Sequence, residues 1–589
     1  MTLRTSSTSI AASQPGGKRP SNNTSRNSGA RKFILTNPKR FSRKFFSDWK
    51  SPVSRFGITS RDRITAVPRA PCPMRFPAFS KRTRPMPLQT SASLIEEIKD
   101  LAPPGLAELN ANTLAALGAV TRRLIATMKR EGRLSENPIE LAMTRDVALH
   151  HEAALRRLKG RRVMVIGGEG CVGTRLRSLL AGLGPQSLVS LDIAAHGGLG
   201  TGMRVDIRDA AALDAAFAEA RPEVVFHLAA IREPGRAEVI VRDAVETNVY
   251  GTANVIAACR RHGVAQAVYS STGKCFAYIT DHVYTATKKL AEAQWMAAAR
   301  EGGPTQFVAT RFTHVLENGI VARDIAQGIK AGLVGLHGSD RHFNLQNLRQ
   351  ATHLLVNAVA LAGEQAADSF WSAIDLGWPV NTLEMALYQI DQGGRDVAVR
   401  FLGVPRGYDE QFFRGQFDWS GAHEYHPLIN ALEAPSSFTD RTGTMIGARV
   451  PAGAEGRLQQ ELERLRHVLR ENPRDAGFVA DAVVKRALLD AVAGLAASAF
   501  AASDPQRLLD VLWWGAAPNW AGPDASTARR FAPVLTLLAD AMLQRPVALR
   551  DVPGAAEKLA DIALTFRQIP ALEERAASLS AALEPAVAN

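Results

Sequence analysis

Cysteine is scarce: Cys72, Cys171, Cys259 and Cys275 are the only four in 589 residues, and no two form a C-x-x-C pair. That excludes a disulfide-stapled scaffold and a cysteine-rich zinc module, and it fits a reducing, cytoplasmic compartment. Long apolar runs are missing too. The longest candidate, Ala491 to Ala502, is short and alanine-rich, so no membrane-spanning helix is expected. Acidic residues are nearly absent from residues 1–90, which hold two Asp against 19 Lys and Arg. The remaining residues hold 52 basic and 55 acidic side chains, so the net charge of +14 belongs to the tail. A basic, nucleic-acid-binding body is therefore not expected. No metal-ligand constellation stands out.

Residues 1–90 are rich in Ser, Arg, Pro and Asn and show no sustained apolar period. Such a segment cannot bury enough apolar surface to offset its ordering entropy, so disorder is expected. Three readings of it stay open: a basic interaction arm, an organelle transit segment, or a stretch preceding a true start at Met86. Residues 91–159 read as helical, with Leu114, Leu117, Val120 and Leu124 near helical spacing.

From 160 to 312 strands and helices alternate. The strands are 162–166, 188–192, 224–228, 267–271 and 307–312; the helices are 170–182, 210–220, 244–262 and 284–300. Alternation of this kind predicts an α/β fold with a doubly wound parallel sheet, a Rossmann domain. Residues 313–435 are less regular and are expected to form a smaller substrate lobe. Residues 455–589 return to helices, with Leu458, Leu462, Leu465 and Leu469 forming one apolar stripe. The apolar character of 487–522 favours packing on the catalytic domain or in a dimer interface over an independent bundle. Trp513, Trp514 and Trp520 read as core or interface.

Two motifs carry chemistry. Gly167-Gly168-Glu169-Gly170-Cys171-Val172-Gly173 follows the first strand and opens a helix. Gly168, Gly170 and Gly173 match G-x-G-x-x-G: the first glycine for a tight turn, the second for close approach to a pyrophosphate, the third for helix–strand packing. Helix N-terminal amides then face the phosphates. Cys171 has no neighbouring base and reads as packing. Asp192 ends the second strand, where a carboxylate accepts from a ribose 2′-hydroxyl, which favours NAD over NADP; its alternative role is a loop cap. The second motif is Tyr284-Thr285-Ala286-Thr287-Lys288. On a helix, i and i+4 share a face, so Lys288 is expected to lower the Tyr284 pKa and make the phenol a general acid/base. The plainer alternative is a solvated helix face. Ser271 and Thr272 end a strand, where a hydroxyl can hold the reacting oxygen.

Together these residues resemble an extended short-chain dehydrogenase/reductase over roughly 160–410. Asp206-Ile207-Arg208-Asp209 is similar to that family's segment near the adenine. His227-Leu228-Ala229-Ala230 resembles its fourth-strand motif beside the cofactor, and Asn248-Val249-Tyr250-Gly251-Thr252-Ala253-Asn254 its N-V-x-G-T-x-N helix. Within the family the chain looks like the CapD-like polysaccharide-biosynthesis branch, whose members are epimerases or 4,6-dehydratases of nucleoside-diphosphate sugars. Ser271-Thr272-Gly273-Lys274 resembles the branch's S-T-D-K, Arg311-Phe312-Thr313-His314-Val315-Leu316 its R-F-G-N-V-L, and the stretch around Arg341 its T-R-Y-F-M.

The resemblance implies NAD or NADP as cofactor, held by Gly167, Gly168, Gly170, Cys171, Val172, Gly173, Asp192, Asp206, Ile207, Leu228, Ala229, Ala230, Asn248 and Lys288. It implies a nucleoside-diphosphate sugar as substrate, touched by Lys274, Arg311 and Arg341, and oxidised at C4 with Tyr284, Lys288, Thr272 and Ser271 as the catalytic set. A homo-oligomer is expected. The alternatives are a net oxidoreductase on another substrate and a non-catalytic NAD(P)-binding scaffold. The chain departs from the branch at Gly273, where an acidic residue assisting elimination is usual. It departs again at His314 and Glu317-Asn318, and in the ten-residue spacing from Lys274 to Tyr284, two longer than usual.

Overall fold

The computed structural model describes residues 89–194, 198–474, 477–545 and 551–582, all within the unit Met86–Asn589. The expectation for the basic tail lies outside them, apart from Gln89 and Thr90.

Nine strands form one sheet: β1 (Arg162–Ile166), β2 (Ser187–Asp192), β3 (Thr201–Arg204), β4 (Val224–His227), β5 (Gln266–Thr272), β6 (Gln306–Phe312), β7 (Ser369–Ala373), β8 (Phe438–Thr439) and β9 (Met445–Arg449). Their order is β8-β9-β7-β6-β5-β4-β1-β2-β3. From β3 to β7 all neighbours are parallel; β9 runs antiparallel to β7 and β8. This is the doubly wound Rossmann arrangement, with its switch point between β1 and β4, where a crevice opens at the strands' C-terminal ends.

The central strand shows why both faces must be covered. Val163 and Val165 point to one face, against the helices His151–Leu158, Cys171–Ala181 and Leu348–Ala360; Met164 and Ile166 point to the other, against Ala210–Ala220, Thr252–Arg261 and Val283–Glu301. Period-2 alternation with apolar residues at both parities is the mark of a strand buried on both sides.

The substrate lobe is less contiguous than its sequence range. Residues 348–360 and 369–373 return to the Rossmann sheet, because Phe370 and Trp371 pair with β6. The lobe proper uses the helices Ile320–Ala331 and Thr382–Gly393 and a parallel pair, Leu333–Leu336 with Ala398–Phe401. The helices Ser91–Leu101 and Ala111–Arg130 complete its core: Leu94, Ile98, Leu117 and Leu124 pack with Val334, Leu387 and Val399. Strands 438–449, which the sequence pattern does not reveal, extend the main sheet.

The C-terminal helices divide in two. Arg457–Glu471 and Gly477–Ala502 form a hairpin lying on the Rossmann helices, with Leu465, Leu469, Val484 and Leu488 against Val245, Val249, Val283 and Leu290. The helices from Pro505 to Ala581 form a second cluster that includes Tyr278, Phe413 and Ala431, with Trp514 in its core. Trp520 and Trp419 sandwich Arg414, tying that bundle to the segment after residue 410. No helix among the described residues is long and apolar enough to cross a membrane.

Candidate active site

The glycine loop joins β1 to the helix Cys171–Ala181. The positive φ sits at Gly167 (+85°), not at Gly168, so Gly167 makes the turn. A Cβ there would lie 2.5 Å from the Ala229 nitrogen, so the loop is pressed against the end of β4. Gly168 is small for another reason: a Cβ would meet Ser190 Oγ at 2.4 Å. At Gly173 a Cβ would meet the Gly167 carbonyl at 2.4 Å, the close helix–strand packing expected there. Gly170 differs, because a Cβ would touch only the Gly167 oxygen at 3.4 Å. The protein itself barely demands glycine at that position, and the helix it caps has no side-chain cap on its first amides. An open glycine before uncapped amides fits the pyrophosphate of a dinucleotide. Val172 packs inward against the Rossmann core, and Cys171 Sγ reaches the Glu317 carbonyl at 3.4 Å. Burial raises that thiol's pKa, so it stays protonated.

Asp192 ends β2 beside this loop. Its carboxylate accepts from Glu169 N–H and Ala194 N–H, each at 3.1 Å. It therefore caps the loop, and its remaining lone pairs stay available to a ribose. Leu228, Ala229 and Ala230 are half-buried at the crevice, the first two bonded to the Ile166 carbonyl at 2.8 and 3.0 Å. Asp206 is chelated by Arg208, with Nη2 at 2.6 Å from Oδ2, and that contact holds its carboxyl below the usual range. Ile207 is buried against Gly251. Asn248 lies in a π-helical turn, Glu246–Gly251; it accepts from Ile231 N–H at 2.8 Å and donates to Thr287 Oγ1 at 3.0 Å. Its side chain fixes the loop after β4 to the Tyr284 helix.

Tyr284 is the second residue of the helix Val283–Glu301, half-buried and facing Thr272 at the end of β5. Burial pushes its phenol up to about 12, and a hydrogen bond with Thr272 opposes that rise. This corrects the expectation that Lys288 lowers it. The Lys288 ammonium turns beneath the cleft floor, donating to the Ser270 carbonyl at 2.8 Å and lying 4.2 Å from the Tyr269 ring centroid. Burial lowers its own pKa to about 8.

Of the two strand-end hydroxyls, Thr272 faces Tyr284. Ser271 is buried and donates to Glu292 Oε2 at 2.6 Å, so it serves the interior. Arg311 is likewise not in the cleft. It is 1% exposed and bonds Glu292 (2.6 Å), Glu433 (2.7 Å) and the Leu428 carbonyl (2.9 Å), with Phe370 stacked on it. A guanidinium so engaged cannot bind a substrate. Arg341 sits on the lobe, paired with its neighbour Asp340 at 3.0 Å.

Lys274 is half-buried and paired with Glu410 Oε2 at 2.9 Å. Glu410, Asp409 and His282 are absent from any sequence-based site. His282 Nε2 lies 2.6 Å from Asp409 Oδ1, and nearby carboxylates raise the imidazole's pKa against burial. No motif announces these residues; they meet only because the 402–413 segment folds over the start of the Tyr284 helix. Among the described residues no group of three or more His, Cys, Asp or Glu could hold a metal ion.

The glycine loop, Asp192 and Thr272 thus lie at the C-terminal ends of β1, β2 and β5, and Tyr284 faces Thr272 there. Residues 200–408 match the family described as polysaccharide biosynthesis protein. The chain is 27% identical over 299 residues to the capsular polysaccharide biosynthesis protein CapD of Staphylococcus aureus, covering 47% of each chain. It is 33% identical over 113 residues to a UDP-N-acetylglucosamine 4,6-dehydratase (inverting) of Campylobacter jejuni, covering 19% of this chain and 33% of that one. The chain spans less than half the length of either relative. A solved structure, that of Pen from Bacillus thuringiensis, aligns with a TM-score of 0.43 at 20% identity, over 50% of this chain and 89% of its own.

Proposed function

We propose that the chain is an NAD(P)-dependent nucleotide-sugar epimerase or 4,6-dehydratase of polysaccharide biosynthesis, with NAD favoured. In this reading it acts in the cytoplasm as a homo-oligomer on a nucleoside-diphosphate sugar. The observation that carries the reading is Tyr284 facing Thr272 at the sheet's C-terminal edge, beside a glycine loop whose Gly170 has space in front of it. The dehydratase named among the relatives supports the substrate class. The free thiols Cys171, Cys259 and Cys275 are compatible with a reducing compartment.

NAD(P), when bound, accepts and returns a hydride. Gly167, Gly170 and the first amides of the helix Cys171–Ala181 would hold its pyrophosphate, and Asp192 its ribose. Thr272 fixes the sugar hydroxyl, and Tyr284 takes the proton from that oxygen and later gives it back. A phenol held near 12 is protonated at neutral pH, so it can take that proton only once the filled cleft has lowered its pKa. Arg232, exposed and close enough to lower the Tyr284 phenol, supplies positive charge there, and Lys288, donating to the Ser270 carbonyl, is a second cation in the site.

Mass spectrometry of the purified protein for retained cofactor, followed by a panel of nucleoside-diphosphate sugars, tests the reading. Interconversion without steady NAD(P)H consumption is expected. Stoichiometric NAD(P)H turnover would make it a net oxidoreductase, and retained cofactor with no turnover a scaffold.

A further inference from the structure

Gly273 leaves the site without the acidic residue usual in the resembled branch, and the space in front of it is closed. A Cβ on Gly273 would lie 2.2 Å from Leu428 Cδ2. A carboxylate nonetheless reaches the neighbouring residue from a distant segment. Glu410 accepts from Lys274 Nζ at 2.9 Å, Thr280 Oγ1 at 2.6 Å and Thr285 Oγ1 at 2.9 Å. Lys274 adjoins Gly273, and Thr285 adjoins Tyr284. The Glu410 side chain is 6% exposed while that of Lys274 is 28% exposed, so the ammonium is the member of the pair that the solvent side can reach.

The segment carrying Glu410 is pinned on either side of it. Asp409 takes His282, and Arg406 donates to Asp281 Oδ2 at 2.9 Å. These contacts alone would hold the segment, so a third, buried carboxylate aimed at Lys274 has work beyond anchoring.

We propose that Glu410 is a positioning residue, which aims the Lys274 ammonium at the cleft beside Tyr284 in place of the carboxylate absent at Gly273. The inference rests on the proposed reading of the cleft as a sugar site. A carboxylate so placed holds the Lys274 ammonium in one rotamer through a charge-assisted hydrogen bond, which is stronger than an amide oxygen would make. Its charge also works against ionisation of Tyr284. The groups acting on that phenol are Thr272 and Arg232, which favour its ionised form, and Cys275 and Glu410, which oppose it. Those around Glu410 are Lys274, Thr280 and Thr285, with His282 close enough to feel its charge.

Two measurements on the full chain test it. In the first, without substrate, wild type and Glu410→Gln are jumped to pH of about 11. Tyrosinate absorbance is read within the mixing time, each against the same protein carrying Tyr284→Phe. More Tyr284 phenolate in Glu410→Gln is expected, because an opposing charge is gone; equal amounts would overturn the proposal. In the second, on the sugar that the panel identifies, Glu410→Gln should lower kcat by about 10–100-fold with little change in KM, as displaced supporting contacts do. Glu410→Asp should recover part of the loss. The losses from Glu410→Gln and Lys274→Met should fail to multiply, since one acts through the other. Wild-type kcat in Glu410→Gln, or fully multiplicative losses, would overturn it. If no sugar is turned over by the wild type, the functional reading fails by itself and the pH jump still decides Glu410.

Discussion

Leu428 occupies the space that a side chain at Gly273 would need: a Cβ there would lie 2.2 Å from its Cδ2 and 3.3 Å from the Phe312 carbonyl. Leu428 is itself buried, so it has little room to withdraw. Gly273→Asp is therefore expected to destabilise the protein rather than restore an acidic function. Overpacking of this kind costs typically about 1–3 kcal/mol, and a buried carboxylate adds to it. Gly273→Asp combined with Leu428→Ala should recover part of the lost thermal stability. A single variant as stable as wild type in a thermal melt would show that Leu428 yields freely.

Tyr284→Phe should lower turnover by roughly 10²–10⁴-fold while leaving cofactor binding intact, because only a hydroxyl is removed. Thr272→Val should act in the same direction more weakly. It removes the hydrogen bond that holds the phenol down, so the rise of kcat/KM with pH should move to higher pH. A Thr272→Val profile superimposable on wild type would remove Thr272 from the site.

Much of the frame was legible because it depends on local patterns. Strand and helix alternation, the position of the glycine loop and the Tyr284–Lys288 spacing are all read within a few residues. What failed depends on side-chain direction and distant partners. Arg311 sits at a motif position, yet Glu292 and Glu433, 19 and 122 residues away, draw it into the interior. Ser271 and Thr272 are adjacent and point to opposite sides of the strand, as period 2 requires, but which side holds the cleft is a tertiary fact. Lys288 is on the expected face of the helix, and the Ser270 carbonyl holds it below Tyr284. Glu410 had no local signal at all.

Arg311→Met should be strongly destabilising, by about 3–5 kcal/mol in chemical denaturation, since it leaves two carboxylates buried without their partner. Burial already pushes the Glu433 carboxyl up, whereas Arg311 holds Glu292 down against burial. Arg341→Ala, whose partner Asp340 is an exposed neighbour, should stay near wild type. Similar stabilities for the two variants would mean that the buried triad relaxes on losing its cation.

Acid should unfold the protein earlier than its carboxylates alone would. Burial lowers the pKa of His227 to about 3, and of His314 and His426 to about 4. A histidine with a depressed folded pKa contributes fully above its unfolded value near 6.5. That contribution is lost as pH falls from there toward the folded value. At pH 5 each such histidine costs about 2 kcal/mol, from 1.36 kcal/mol per unit. His282, whose pKa is raised, works with the opposite sign and partly offsets the loss. His426 is the clearest case: Nδ1 accepts from Leu428 N–H at 3.3 Å while Nε2 faces the Ala373 carbonyl at 2.9 Å, so the neutral ring satisfies both. His426→Gln should flatten the fall in stability between pH 6.5 and 4.5. An unchanged slope would show that His426 does not contribute to the acid lability.

The hairpin Arg457–Ala502 is expected to be inseparable from the catalytic body. Its leucines cover Val245, Val249, Val283 and Leu290, residues on the helices that also carry Asn248 and Tyr284. Polar contacts fix its register: Tyr250 Oη donates to the Leu462 carbonyl at 2.8 Å and Arg242 to the Leu469 carbonyl at 3.1 Å. Lys485 pairs with Glu238, whose other oxygen accepts from Val283 N–H at 2.8 Å, immediately before Tyr284. Removing residues 453–589 exposes that apolar face and frees the start of the Tyr284 helix. The fragment Met86–Ala452 should therefore aggregate, or stay soluble with turnover lowered at least tenfold. In the full chain, Lys485→Met should leave the fold intact and lower kcat more than it raises KM, because only the support of the Tyr284 helix is weakened. A soluble fragment with wild-type turnover would make the hairpin a detachable cover with no hold on the site.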